Sequence, residues 1–150
     1  NISFSFVGRG ASEQVEKHMR LFCENNKNID YEWFDMSEMA RAYMDSDIVL
    51  IPSLYSEGTS LSLIEAMACG KPVIAGMVGG LTDLVLQGYN GYLINVNRNT
   101  LKEAILDLAN DASKRKTMGE RAREIASCFT KQIWEKRWEN VINRLINNEL

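Results

Sequence analysis

IVLIPSLYSEGTSLSLIEAMACGKPVIAG, residues 48–76, is the stretch on which the fold turns. IVLIP (48–52) is a short apolar run of strand character, closed by Pro52 and Ser53. A loop of small polar residues around Gly58 follows. SLSLIEAMAC (60–69) then has the make-up of a helix, and Gly70 stops it. KPVIAG (71–76) is a second strand with Pro72 at its edge. Strand, helix and strand in this order mark a parallel sheet covered by helices.

The same alternation extends outward in both directions. Upstream, ISFSFV (2–7) is a strand closed by Gly8-Arg9-Gly10. Ser12 can cap a helix running through about Asn25, on which Val15, Met19, Phe22 and Cys23 mark the buried stripe. IDYEWF (29–34) is a strand, and a helix over about 37–45 leads into residue 48. Downstream, Gly79-Gly80 turn the chain into a helix around 82–87, and Tyr89-Asn90-Gly91 turn it again before the strand YLINV (92–96). The rest reads as helical. Thr100 with Glu103 forms a capping box for LKEAILDLAN (101–110), and a charged helix spans Ser113 to about Ser127. Thr130 caps a last helix in which Trp134, Trp138, Val141 and Leu145 recur at helical spacing. With no repeat, linker or low-complexity tract, residues 1–150 are expected to form a single α/β domain.

Composition narrows the function classes. The 17 Lys and Arg residues against 20 Asp and Glu leave a net charge of −3, which is no footprint for nucleic acid. No apolar run is long enough to span a bilayer, and the first residues read as a strand rather than a cationic leader. Cys23, Cys69 and Cys128 are widely spaced, with no C-x-x-C pair, so neither a disulfide framework nor a zinc site is expected. His18, the single histidine, flanks an apolar stripe and reads as a surface residue. Hydrolytic dyads and triads built on histidine lose their support. The expectation is a soluble cytoplasmic domain without a metal.

Two places could meet a ligand. Gly8 and Gly10 follow a strand directly, where backbone can approach a bound molecule. The dinucleotide fingerprint would need a glycine at position 13, where Glu13 stands, so that reading fails and a tight turn remains open. The loop before residue 61 is richer. At a helix start the amides of Thr59, Ser60 and Leu61 lack intrahelical partners, and the helix dipole favours an anion such as diphosphate there. Glu57 lies beside that position and Glu65 eight residues on, about two helical turns away. A carboxylate beside an anion site can accept hydrogen bonds from hydroxyls, as an acidic residue does on ribose. On spacing alone the alternative stays open that Glu57 is a solvated loop residue and Glu65 a helix-surface residue.

Residues 52–96 resemble the donor-binding segment of glycosyltransferase family 4, the retaining, sugar-nucleotide-dependent enzymes of the GT-B fold. The resemblance rests on the E-x7-E pair Glu57/Glu65, on EAMACGKPVIA, on Gly79-Gly80 and on the N-G-Y-L of Asn90 to Leu93. RKTMGERAREIASCFT downstream and VGRG upstream extend it over nearly the whole chain. It implies a doubly wound, Rossmann-like parallel sheet, the C-terminal domain of GT-B enzymes. It also implies roles. Glu57 would contact the transferred sugar near the reaction centre, and Glu65 would hold the ribose hydroxyls. Gly58 and the amides of Thr59, Ser60 and Leu61 would hold the diphosphate. Gly8 would lie at the ligand edge, with backbone around Phe34 and Met36 flanking the base. The donor is a nucleotide-diphosphate sugar, with no further cofactor. The acceptor, a glycan or a lipid-linked molecule, would be met by an N-terminal domain, and the full-length enzyme could associate peripherally with a membrane.

Departures from the family pattern carry their own expectations. The family's first strand-helix unit, with an Arg and a Lys for the diphosphate, has no match here, and Thr59-Ser60 replaces a common Phe-Gly. The strands ISFSFV and IVLIP would then pair directly, or a neighbouring chain would fill the gap. Trp134 and Trp138 either expose an apolar face toward the N-terminal domain or, for Trp138 above all, pack in the core. Two other functions stay in view: a non-catalytic nucleotide-sugar or glycan-binding module of the same fold, and a GT-B enzyme such as a nucleotide-sugar epimerase.

Overall fold

The computed structural model describes residues 2–8 and 12–147, so Arg9 and Gly10 of the glycine turn lie outside the described residues. Two compact units divide the chain, Asn1–Asp45 and Ser46–Leu150. The first holds β1 (Phe4–Val7), α1 (Glu13–Glu24), β2 (Ile29–Glu32) and α2 (Met39–Met44). The second holds β3 (Val49–Ile51), α3 (Leu61–Ala68), β4 (Val73–Gly76), α4 (Leu81–Leu84) and β5 (Gly91–Ile94). Three longer helices follow in it: α5 (Arg98–Asn110), α6 (Ala112–Ala126) and α7 (Lys131–Ile146). The order of elements is the one expected, and every strand pair is parallel.

In the first unit β1 pairs with β2, from Phe4 opposite Ile29 to Val7 opposite Glu32. The Gly8 amide adds a last bond to the Glu32 carbonyl at 3.1 Å. β2 ends at Glu32, so Trp33 and Phe34 fall beyond the strand that the sequence predicts to include them. The Ser12 hydroxyl accepts from the Val15 amide at 3.3 Å and caps α1. His18 is exposed, as its position beside the stripe implied. The stripe itself is not buried: Val15 and Phe22 are each 44% exposed, and Met19 and Cys23 are only half-buried. A two-stranded sheet is too narrow to cover such a face.

The core lies in the second unit. Its sheet runs β3-β4-β5, with β4 in the middle and buried along its whole length. Val73, Ile74 and Ala75 have no exposed surface, as the short apolar run of a parallel strand demands. Leu63, Ala66 and Met67 of α3, with Leu108 of α5 and Met118 and Ala122 of α6, complete that interior. Full burial of one Leu or Ile side chain stabilises by about 1.5–3 kcal/mol, so these residues dominate the fold's energetics.

β1 bonds β2 in one sheet, and β3 bonds β4 in the other. Two expectations need correction. The capping box of α5 sits three residues earlier than Thr100/Glu103. Asn97 is the cap, its Oδ1 accepting from the Asn99 and Thr100 amides at 2.9 and 3.1 Å, and Thr100 Oγ1 accepts in return from the Asn97 amide at 3.3 Å. Trp138 does not pack in the core. It is 51% exposed beside Trp134 at 61%, their ring centroids 6.2 Å apart, on a helix with no buried residue. Thr130 caps that helix as expected, accepting from the Ile133 amide at 3.3 Å.

Candidate functional site

The site is built on the loop that leaves β3. Pro52 ends the ladder, and Ser53 turns its hydroxyl onto the residue four positions on, donating to Glu57 Oε2 at 2.9 Å in partly buried surroundings. The Glu57 backbone is held as well, since its carbonyl accepts from the Gly80 amide at 3.0 Å. Gly79, at φ +49°, lies so close that a Cβ there would stand 2.0 Å from the Glu57 carbonyl oxygen. A Cβ at Gly80 would stand 2.5 Å from the Gly58 oxygen. The glycine pair is therefore not only a turn. Its bare backbone is the wall against which the Glu57-Gly58 peptide rests.

The loop ends in α3. Ser60 is its N-cap and is buried, its hydroxyl accepting from the Leu63 amide at 3.4 Å. The amides of Thr59, Ser60 and Leu61 donate to no acceptor among the described residues. Thr59 and Leu61 are exposed, while Leu63, Ala66 and Met67 are buried on the opposite face. The helix thus leaves its N-terminal donors without an acceptor among the described residues, on a fixed body. The stretch 52–61 carries no cation, so the amides and the helix dipole are its positive features. Glu65 is exposed on the second turn and has an interaction of its own.

The far end of α3 is held from α6. Gly70 takes φ +70°, and a Cβ on Gly119 would stand 2.0 Å from the Gly70 carbonyl oxygen. Arg123 donates to the Ala68 and Cys69 carbonyls, both at 3.2 Å, which satisfies orphan acceptors at the helix end. The M-G and A-R steps of RKTMGERAREIA thereby acquire a physical function. Asn90, 1% exposed, fixes the turn into β5: its Oδ1 accepts from the Leu86 amide at 2.7 Å and its Nδ2 donates to the Leu84 carbonyl at 2.9 Å.

Glu57, Gly58, Thr59, Ser60, Leu61 and Glu65 therefore share one loop-and-helix element. Gly8, Phe34 and Met36 belong to the first unit. There Gly8 has φ +146°, Phe34 is half-buried and Met36 is 91% exposed. A shallow cavity of about 250 Å³ opens past the ends of β3, β4 and β5, with Ser53 in its lining beside Leu54, Met77, Val78, Ile94 and Asn95. The sequence marks Ser53 only as a strand end. The signal that could have singled it out is a hydroxyl four positions ahead of Glu57. Among the described residues no group of three or more His, Cys, Asp or Glu side chains could hold a metal ion, and no helix is long and apolar enough to cross a membrane.

The perturbed titrating groups lie elsewhere, where β5, α5 and α6 meet. Tyr92 donates to Asp107, and Lys114 reaches both Asp107 oxygens at 3.0 and 2.9 Å. The Tyr92 hydroxyl first, and then Lys114, hold the Asp107 carboxyl below its ordinary value. Burial and the nearby carboxylate push Tyr92 up.

Known proteins are similar to this chain in sequence and in fold. The sequence model of the family described as Glycosyl transferases group 1 matches residues 1–125. An uncharacterized glycosyltransferase of Methanocaldococcus jannaschii is 38% identical over 141 residues, which is 91% of this chain and 38% of that protein. The chain thus spans about two fifths of that relative's length. Among solved structures, sucrose-phosphate synthase from Thermosynechococcus elongatus superposes with a TM-score of 0.84 at 27% identity, over 96% of this chain and 38% of that one. The Anabaena protein HepE, solved in complex with UDP-glucose, superposes with a TM-score of 0.76 at 25% identity, over 91% of this chain and 41% of that one.

Proposed function

The chain belongs to the group 1 glycosyl transferases, and from that premise we propose that it is the donor-binding part of a retaining, family 4 enzyme. The proposed reaction moves a hexose from a nucleotide-diphosphate sugar to a glycan or lipid-linked acceptor in the cytoplasm. The observation that carries it is the Glu57 loop running into α3, where a held carboxylate stands next to unpartnered helix-start amides. HepE, with UDP-glucose bound, supports the donor class. Because the family model runs through both units, we assign them to one donor-binding domain.

In this reading the diphosphate sits at the N-terminus of α3, on the amides of Thr59, Ser60 and Leu61 beside Gly58. There the helix dipole stabilises the charge that grows as the sugar departs. The acceptor hydroxyl attacks from the face the leaving diphosphate vacates, so configuration is retained. Glu57 receives sugar hydroxyls near the breaking bond, and Glu65 receives those of the ribose. Gly8 and the backbone around Phe34 and Met36 take the side of the base. Since the chain spans about two fifths of its relative, we place acceptor recognition outside these residues and expect no transfer from them alone.

The test is a titration of the full-length protein with UDP-, GDP- and ADP-sugars. Saturable binding of one base series, with sugar release when glycan or lipid-linked acceptors are added, is the expected result. Binding without turnover would favour a non-catalytic module, epimerised donor would favour an epimerase, and failure to bind any of the three would overturn the reading.

A further inference from the structure

Glu57 is held at two points, and the one that touches its carboxylate is Ser53. The Ser53 hydroxyl donates to Oε2 at 2.9 Å in a partly buried setting, where such a bond is shielded from competing water. Ser53 is itself fixed from behind. At Gly76, the last residue of β4, an added Cβ would stand 2.1 Å from the Ser53 carbonyl oxygen, so the two backbones touch. On the other side the Gly80 amide holds the Glu57 carbonyl at 3.0 Å. A carboxylate on a loop would otherwise sample several rotamers, and ordering it on binding costs free energy.

We propose that Ser53 is the positioning residue for Glu57. By occupying Oε2 it selects one carboxylate rotamer and leaves Oε1 to receive a sugar hydroxyl of the donor. Ser53 makes no ligand contact in this scheme. The inference rests on the reading of Glu57 as the sugar contact, and it adds the group that makes that contact ready before the donor arrives.

The experiment measures how much the sugar adds to nucleotide affinity. Full-length wild type, S53A, S53T and E57A are titrated calorimetrically with UDP and UDP-glucose, and with the GDP/GDP-mannose and ADP/ADP-glucose pairs. Wild type is expected to bind one sugar nucleotide more tightly than its diphosphate. E57A loses that preference, and S53A loses most of it, weakening sugar-nucleotide binding by about tenfold, the scale of one hydrogen bond to a charged group. S53T keeps a hydroxyl at the same place and restores the preference to within about twofold of wild type. Diphosphate binding by S53A and S53T stays that of wild type.

If S53A keeps the wild-type preference while E57A loses it, the positioning role is overturned and the reading of Glu57 stands. Equal weakening of diphosphate and sugar nucleotide in S53A, or no rescue by S53T, would show a merely structural serine and also overturn it. A wild type that prefers no sugar nucleotide removes the reading of Glu57 and the inference together.

Discussion

Glu57 and Glu65 are the same side-chain type in two surroundings. The first is half-buried and bonded by Ser53, and the second is exposed on a helix turn. Their proposed contacts differ in when they matter. A ribose contact is equally present before and during reaction, so E65A should raise the donor KM by the equivalent of about 1–3 kcal/mol and leave kcat nearly unchanged. A contact next to the breaking bond strengthens as charge develops, so E57A should lower kcat more than it raises KM. Steady-state kinetics of the full-length protein decide this, and equal small changes in both constants would contradict the roles. At this scale the sequence is legible where chemistry is rare and opaque where it is common. Two glutamates around a helix start stand out. Ser53 does not, because a serine after a strand suits many turns. Asn97 and Thr100 show the same ambiguity: both can cap, and only where the helix begins decides which of them does.

Among the elements, the junction of β5, α5 and α6 is held by Tyr92, Asp107 and Lys114. Because Asp107 titrates below its ordinary value in the folded chain, its contribution is complete above the unfolded carboxylate range, about pH 4, and is lost as pH falls through the folded value. D107N should lower the Tm at pH 7 and flatten its decline below about pH 4. The effect should be small, since these side chains are largely exposed. Thermal melts of the two proteins across that range check it. α3 and β4 could be read in advance because cap, apolar face and stop residue all agree within one segment. The end of β2 could not, since a strand runs only as far as its neighbour does. Trp33 and Phe34 are as β-prone as the residues before them, yet the paired register ends at Val7 opposite Glu32.

For the molecule as a whole, burial is unevenly shared. β4 and the inner faces of α3, α5 and α6 form a closed interior in the second unit, whereas α1 in the first buries no residue. Hydrogen exchange should therefore be slowest in Val73, Ile74 and Ala75 and at least an order of magnitude faster in β1 and β2, because local opening follows the number of buried apolar contacts. Equal protection of the two sheets would contradict this. The α/β order and the parallel pairing were open to reading from period and punctuation alone. Which apolar stripes end up covered was not. Val15 and Phe22, like Trp134 and Trp138, announce that a face is apolar, but a one-dimensional pattern carries no record of what lies on it.

The grip of α6 on α3 makes that short helix a push-rod. Its eight residues span about 12 Å, with the Gly119 and Arg123 contacts at one end and the open amides of Thr59 to Leu61 at the other. A rod moved at its base moves at its tip. One methyl group added by G119A would have to displace the Gly70 carbonyl, and fluorescence titration of the full-length protein should then show weaker nucleotide binding, although residue 119 faces no ligand. Under the proposed function, the seat for the diphosphate depends on a backbone contact made at the opposite end of the helix.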